Sequence, residues 1–156
     1  MKNILLLALS LTLCFNVCAQ IPSTTAKIQS YIDSIGKSND RRLVSASMFP
    51  AFANGHNFEW RTNMWTNKKH KLLWVEHIIP DSISRVFFYC KDSLIFASER
   101  TYDTKSAPGI KKNIFRNIFF YQARIIEDTM PGNNNNTAAF YINESRKYLR
   151  LSKNTK

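Results

Sequence analysis

The run ISRVFFYCKDSLIFASERTY, Ile83 to Tyr102, decides the fold class of this chain. Two stretches dense in aromatic and β-branched side chains flank the polar pair Lys91-Asp92, which is the pattern of two strands joined by a tight turn. Pairing them through that turn sets Phe87 opposite Phe96 and Tyr89 opposite Leu94 on one face. Phe88 with Ile95, and Val86 with Ala97, then share the other. Both faces are apolar, so the hairpin belongs in the middle of a sheet or under cover on both sides.

The same texture extends outward from this hairpin. Strands are expected near Phe58 to Thr66, Lys71 to Ile79 and Ile114 to Glu127, broken by Asn67 to His70, by Pro80-Asp81-Ser82 and by a longer joint carrying Pro108-Gly109. The short joints permit only antiparallel neighbours, because a parallel crossover needs about a dozen residues. The stretch Leu43 to Phe52, with Pro50 inside it and Asn54-Gly55 after it, has no decisive pattern. Upstream, Ile28, Tyr31, Ile32 and Ile35 recur at helical spacing behind the caps Ser23, Thr24 and Thr25, and Gly36 is placed to end the helix. Downstream, Ala138, Tyr141, Ile142, Ser145, Tyr148 and Leu149 repeat in the same way behind Thr137. The expected fold is α+β: an N-terminal helix, a four- to five-stranded antiparallel meander and a C-terminal helix. The two helices are the natural cover for one sheet face.

Residues 1–19 read differently. A basic start, Met1-Lys2-Asn3, leads into the apolar run Ile4 to Leu13 and then to the small residue Ala19, which is the anatomy of a secretory signal peptide cleaved before Gln20. The apolar run falls short of the roughly 20 residues that span a bilayer. Cys14 and Cys18 follow Leu13 and Val17, side chains too bulky for lipoprotein processing. The expectation is an exported single domain, 20–156, periplasmic or secreted, with no lipid tether and no transmembrane helix. Its only cysteine is then Cys90, which cannot close an internal disulfide and lies in a Phe-rich strand, the setting of an inert buried thiol.

Charge is the strongest global signal, with 22 Lys+Arg against 11 Asp+Glu and a formal net charge of +11. The basic residues cluster at Lys68, Lys69 and Lys71. They also form a stripe of Arg146, Arg150 and Lys153, which fall within about 60° of one another on a helical wheel. Such a surface selects an anionic lipid, a glycan or an acidic protein; export makes nucleic acid a poor partner. Trp60 and Trp65, flanked by Arg61, Asn63 and Thr66, are the aromatic residues best placed for exposure, while Trp74, Tyr89 and Tyr121 suit sheet packing.

Catalytic templates are missing. The glycines Gly36, Gly55, Gly109 and Gly132 are isolated, so no phosphate-cradling loop forms, and no G-x-S-x-G elbow occurs. His56, His70 and His77 have no metal-ligand spacing, and one cysteine builds no thiolate cluster; neither a metal nor a cofactor is expected. Glu76 and His77 are strand neighbours and point to opposite faces. A small hydrolase would need a site assembled in three dimensions around His77, Glu76 or Asp81. A protein inhibitor or assembly chaperone would use an exposed aromatic sheet face. The leading expectation is a non-enzymatic binding module of the cell envelope.

The stretch Arg85 to Arg100, echoed by NIFFYQARIIE from Asn117 to Glu127, resembles a pattern in small exported bacterial β-meander proteins of unknown function. The resemblance implies a signal peptide, a helix and a β-meander, and it brings no active site. This chain departs from the pattern at Cys90, where an aromatic residue is usual.

Overall fold

The computed structural model describes residues 21–53, 56–79, 83–103, 112–131 and 137–154. The expected signal peptide, its cysteines, Asp81 and the Pro108-Gly109 loop lie outside the described residues. Helix α1 spans Thr25–Lys37 and is capped by Thr24, whose hydroxyl accepts from the Lys27 amide. Gly36 does not end it. The helix runs on to Lys37 and stops at Ser38, which is extended and donates its backbone N–H to the Ile35 carbonyl. Glycine inside a helix costs about 1 kcal/mol relative to alanine.

Among the described residues seven strands follow, each antiparallel to its sequence neighbour, in the spatial order of the chain. They are β1 (Arg42–Ala53), β2 (His56–Thr66), β3 (Leu72–Ile79), β4 (Ile83–Cys90), β5 (Ser93–Asp103), β6 (Lys112–Tyr121) and β7 (Arg124–Asp128). Helix α2 (Ala138–Asn154) closes the chain. The antiparallel meander between two helices is as expected; the strand number is seven instead of four or five. One addition is the undecided stretch after Arg41, which pairs along β2 as β1. The other arises because Ile114 to Glu127 is two strands folded back on each other at Gln122-Ala123.

That second turn explains its own invisibility in the sequence. Gln122 and Ala123 have φ of 50° and 61°, matching Lys91 and Asp92 at 50° and 61°. Positive φ at both central residues is what the right-handed twist of a two-residue hairpin demands, and it normally selects Asn or Gly. An L-residue held there costs roughly 1–2 kcal/mol. Ala123 is exposed, so Ala123→Gly should relieve strain without losing packing. The expected gain is about 1 kcal/mol in urea unfolding; an unchanged or lowered midpoint would contradict it.

The central hairpin keeps Tyr89 opposite Leu94, as expected, but a bulge between Phe88 and Tyr89 shifts the rest. Phe96 faces Phe88 instead of Phe87, and Phe87 faces Ala97. Ile95 is the extra residue of the bulge, which lets Ile95 and Phe96 both enter one cluster. That cluster joins Ile28 of α1 to Cys90, Ile95, Phe96 and Phe119, with Tyr31, Ile32 and Phe88 packed against it. The opposite cluster joins Tyr141 and Tyr148 of α2 to Val75, Phe87, Tyr89, Ile118 and Phe120. Each helix therefore covers its own sheet face, where the sequence had suggested that both share one. Two apolar faces require two covers, and each helix has one apolar stripe to offer.

Hydrogen bonds fix both covers. The Tyr31 hydroxyl donates to the Tyr89 carbonyl at 3.3 Å, and the Tyr89 hydroxyl donates to the Ser145 carbonyl at 3.2 Å. Thr25 donates to Glu127 at 2.7 Å, tying the start of α1 to β7. Cys90 is a buried thiol, and burial pushes its pKa up.

Candidate functional site

In a sequential meander, alternate turns lie at the same end of the sheet. The β2–β3, β4–β5 and β6–β7 turns therefore share one end. The first is built by Asn67, whose side-chain oxygen accepts from the Lys69 amide at 2.9 Å and the Lys71 amide at 3.0 Å, so the chain curls and throws its lysines outward. The Lys68 amide donates to Asp40 at 3.1 Å, and its ammonium lies 3.8 Å from the same carboxylate.

Asp92, in the second turn, is where the basic groups meet. Lys71 approaches it to 3.6 Å and Lys153, near the end of α2, to 3.9 Å. Arg146 lines a cleft of about 160 Å³ with Asp92, Leu94, Ala123 and Leu149. Arg150 stands one turn further along the helix, in a shallower groove of about 450 Å³ with Lys147 and Asn154. The lysine turn and the helical stripe, separate in the sequence, thus form one locus through Lys71, Arg146 and Lys153. Lys71 and Lys153 are about two-thirds exposed, so their pairs with Asp92 are worth only about 0–1 kcal/mol and leave the ammonium groups able to exchange partners.

Trp65 takes part in a different feature. Its ring stacks on Trp74 at 4.7 Å and 12°, and Trp74 stacks on Phe88 at 6.0 Å and 21°. Phe96 continues edge-on from Phe88, and Phe119 from Phe96, so aromatic rings cross five strands on the α1 face. Each neighbouring pair is directly opposed in the strand register. Trp60 lies in β2 opposite Phe49, and its side chain falls outside the described part of the structure.

The α2 face carries an ionic row that the sequence reading missed. His77, Arg85, Glu99 and Arg116 are successive register partners across β3 to β6. Arg85 Nε donates to Glu99 at 2.6 Å; Arg116 grips Asp128 with two bonds, 3.0 and 2.6 Å. Glu99 is only 2% exposed and Arg116 6%. Phe140 and Tyr141 of α2 lie over the two guanidinium groups, at 5.0 and 5.7 Å. The Arg116 hydrogen bonds hold the Asp128 carboxyl below the usual carboxylate range. Burial, helped by Arg85, lowers the pKa of His77, whose Nδ1 lies 2.9 Å from the Thr62 hydroxyl. Burial also pushes the Tyr148 phenol up to about 12.

These pairs tie β4 to β5 and β6 to β7, and α2 rests on them through the Phe140 and Tyr141 rings. Asp128 is paired and held low by Arg116, and burial keeps the proton on the Tyr148 phenol at neutral pH. Glu76 points away from His77, accepting from Asn63 at 3.1 Å on the other face, so the structure does not bring them together. His77 lines neither the Arg146 cleft nor the Arg150 groove. Among the described residues no group of three or more His, Cys, Asp or Glu side chains could hold a metal ion, and no helix is long and apolar enough to cross a membrane. No family model, curated protein or solved structure matches the chain.

Proposed function

We propose that this chain is a non-enzymatic binding module of the cell envelope that holds fixed anionic groups at the basic end of its sheet. The observation that carries the reading is the convergence of Lys71, Lys153 and Arg146 around Asp92 from distant parts of the chain. An incoming phosphate or carboxylate competes with Asp92 for ammonium groups that are already gathered. Lys68 and Lys69 on the neighbouring turn, and Arg150 along the helix, extend the same positive field. The signal-like residues 1–19 support a location outside the cytoplasm, where anionic headgroups and acidic glycans are the abundant ligands of this chemistry.

The test replaces Arg146, Arg150 and Lys153 together by Gln and follows binding to phosphatidylglycerol vesicles and, separately, to heparin. Each basic residue near an anionic surface contributes about 1 kcal/mol, so the triple variant should bind roughly a hundredfold more weakly, with a flatter salt dependence. The arm that responds identifies lipid or glycan as the source of the charge. Binding that is unchanged by the substitutions, or insensitive to salt, would rule the basic end out.

A further inference from the structure

Helix α1 covers only part of its sheet face. Ile28 seals the far rings, Phe96 and Phe119, but beyond Ile32 the helix ends over Trp74 and Phe88 and leaves a groove of about 590 Å³. That volume falls in the range of small-molecule sites, about 300–1,000 Å³. Trp74 and Phe88 form its floor, Ile32 and Gly36 its helical wall, and Lys37 and Arg41 its charged rim.

Gly36 is the second sign that this space is kept open. It is helical, its backbone makes no demand for glycine, and a Cβ built on it would meet nothing within 4 Å. Glycine is the least favourable helical residue after proline, and neither a close approach nor a turn explains it here. Its effect is to lower the wall of the groove.

The rings define what fits. Trp65 takes one face of Trp74 and Phe88 the other, so Trp74 offers an edge to the groove. A planar ring or a sugar needs a free aromatic face to stack on; a flexible aliphatic chain needs only apolar area. At the rim, Lys37 and Arg41 make no ion pair among the described residues and outnumber the one carboxylate there, Asp33, which accepts from Gln29 at 3.0 Å. The complement to that rim is an anionic head.

We propose that this groove binds a single acyl chain carrying an anionic head, of which a free fatty carboxylate is the simplest case. The chain lies along Trp74 and Phe88 under Ile32, and the head meets Lys37 and Arg41. The site is on the α1 face and does not depend on the basic locus around Asp92.

The probe is dibromostearate, whose bromines quench tryptophan fluorescence on contact, added to the full-length protein. Saturable quenching is expected, and Trp74→Phe should remove most of it. Gly36→Leu fills the groove from the wall and improves the helix, so it should weaken binding by roughly tenfold or more while unfolding at a urea concentration no lower than the parent. Lys37→Gln with Arg41→Gln should weaken the carboxylate and leave a brominated alcohol of the same chain length unaffected. Substituting Arg146, Arg150 and Lys153 should not alter the quenching. Absence of saturable quenching, full binding by a folded Gly36→Leu protein, or loss of quenching in the triple variant would overturn the assignment. Quenching by brominated phosphatidylglycerol vesicles but not by the free acid would overturn it in favour of a membrane surface.

Discussion

Replacing Glu99 with alanine is expected to remove about 3–5 kcal/mol of stability, the cost of breaking a buried ion pair from one side. Glu99 is 2% exposed and lies in register between Arg85 and Arg116. The Arg85 side chain, itself only 14% exposed, would keep its charge beneath Phe140 with its 2.6 Å acceptor gone. Most of the loss comes from that stranded charge, so removing both partners should cost less than removing one. Arg85→Met with Glu99→Leu should recover the greater part of the deficit, because apolar pairs replace buried ion pairs at little net cost. Urea unfolding of the two proteins decides the matter. A single variant within about 1 kcal/mol of the parent, or a double variant less stable than the single, would show that the buried pair does not hold β4 to β5.

Phe87→Ala should cost a similar amount, about 3–5 kcal/mol, by a different route. The ring is fully buried in the cluster that holds α2 to the sheet, 5.5 Å from Tyr148. Its removal leaves a cavity between layers that cannot collapse without moving the helix. Phe115 is the internal control: it is 57% exposed, and Phe115→Ala should change stability by no more than about 0.5 kcal/mol. A double-mutant cycle between Phe87 and Tyr148 should return about 0.5–1.5 kcal/mol of ring coupling. Equal losses at positions 87 and 115 would mean that α2 does not lie over β4.

The strands from Phe58 to Tyr102 were legible because β-branched and aromatic runs there are separated by obvious turn residues. β1 was not, since Ser45, Ala46, Ser47, Ala51 and Ala53 carry little side chain and Pro50 argues against a strand; the edge position tolerates it. The Gln122-Ala123 turn was hidden because neither residue advertises positive φ. The bulge at Phe88 was hidden too, since it answers to packing: α1 draws Ile95 and Phe96 onto the same side. That one-residue slip also concealed the ionic row. Without it Arg85 would face Ser98, and only the bulge brings Glu99 opposite. Of the basic locus, the helical stripe followed from spacing alone, whereas the meeting of Lys71 with Lys153 at Asp92 needed the folded topology.

The manner in which α1 is covered sets an order of assembly. Six strand pairings join neighbours in the chain, so the sheet can grow one hairpin at a time as residues emerge, with short loops closing at each step. Helix α1 is the exception. Its seat is made by Ile95, Phe96 and Phe119, and its first turn is tied to Glu127, 102 residues further along. A chain synthesised from its N-terminus therefore produces this helix first and its resting place among the last. Until β6 is in place, Ile28 has no surface to bury against, and the segment that begins the domain is the one that waits longest for cover.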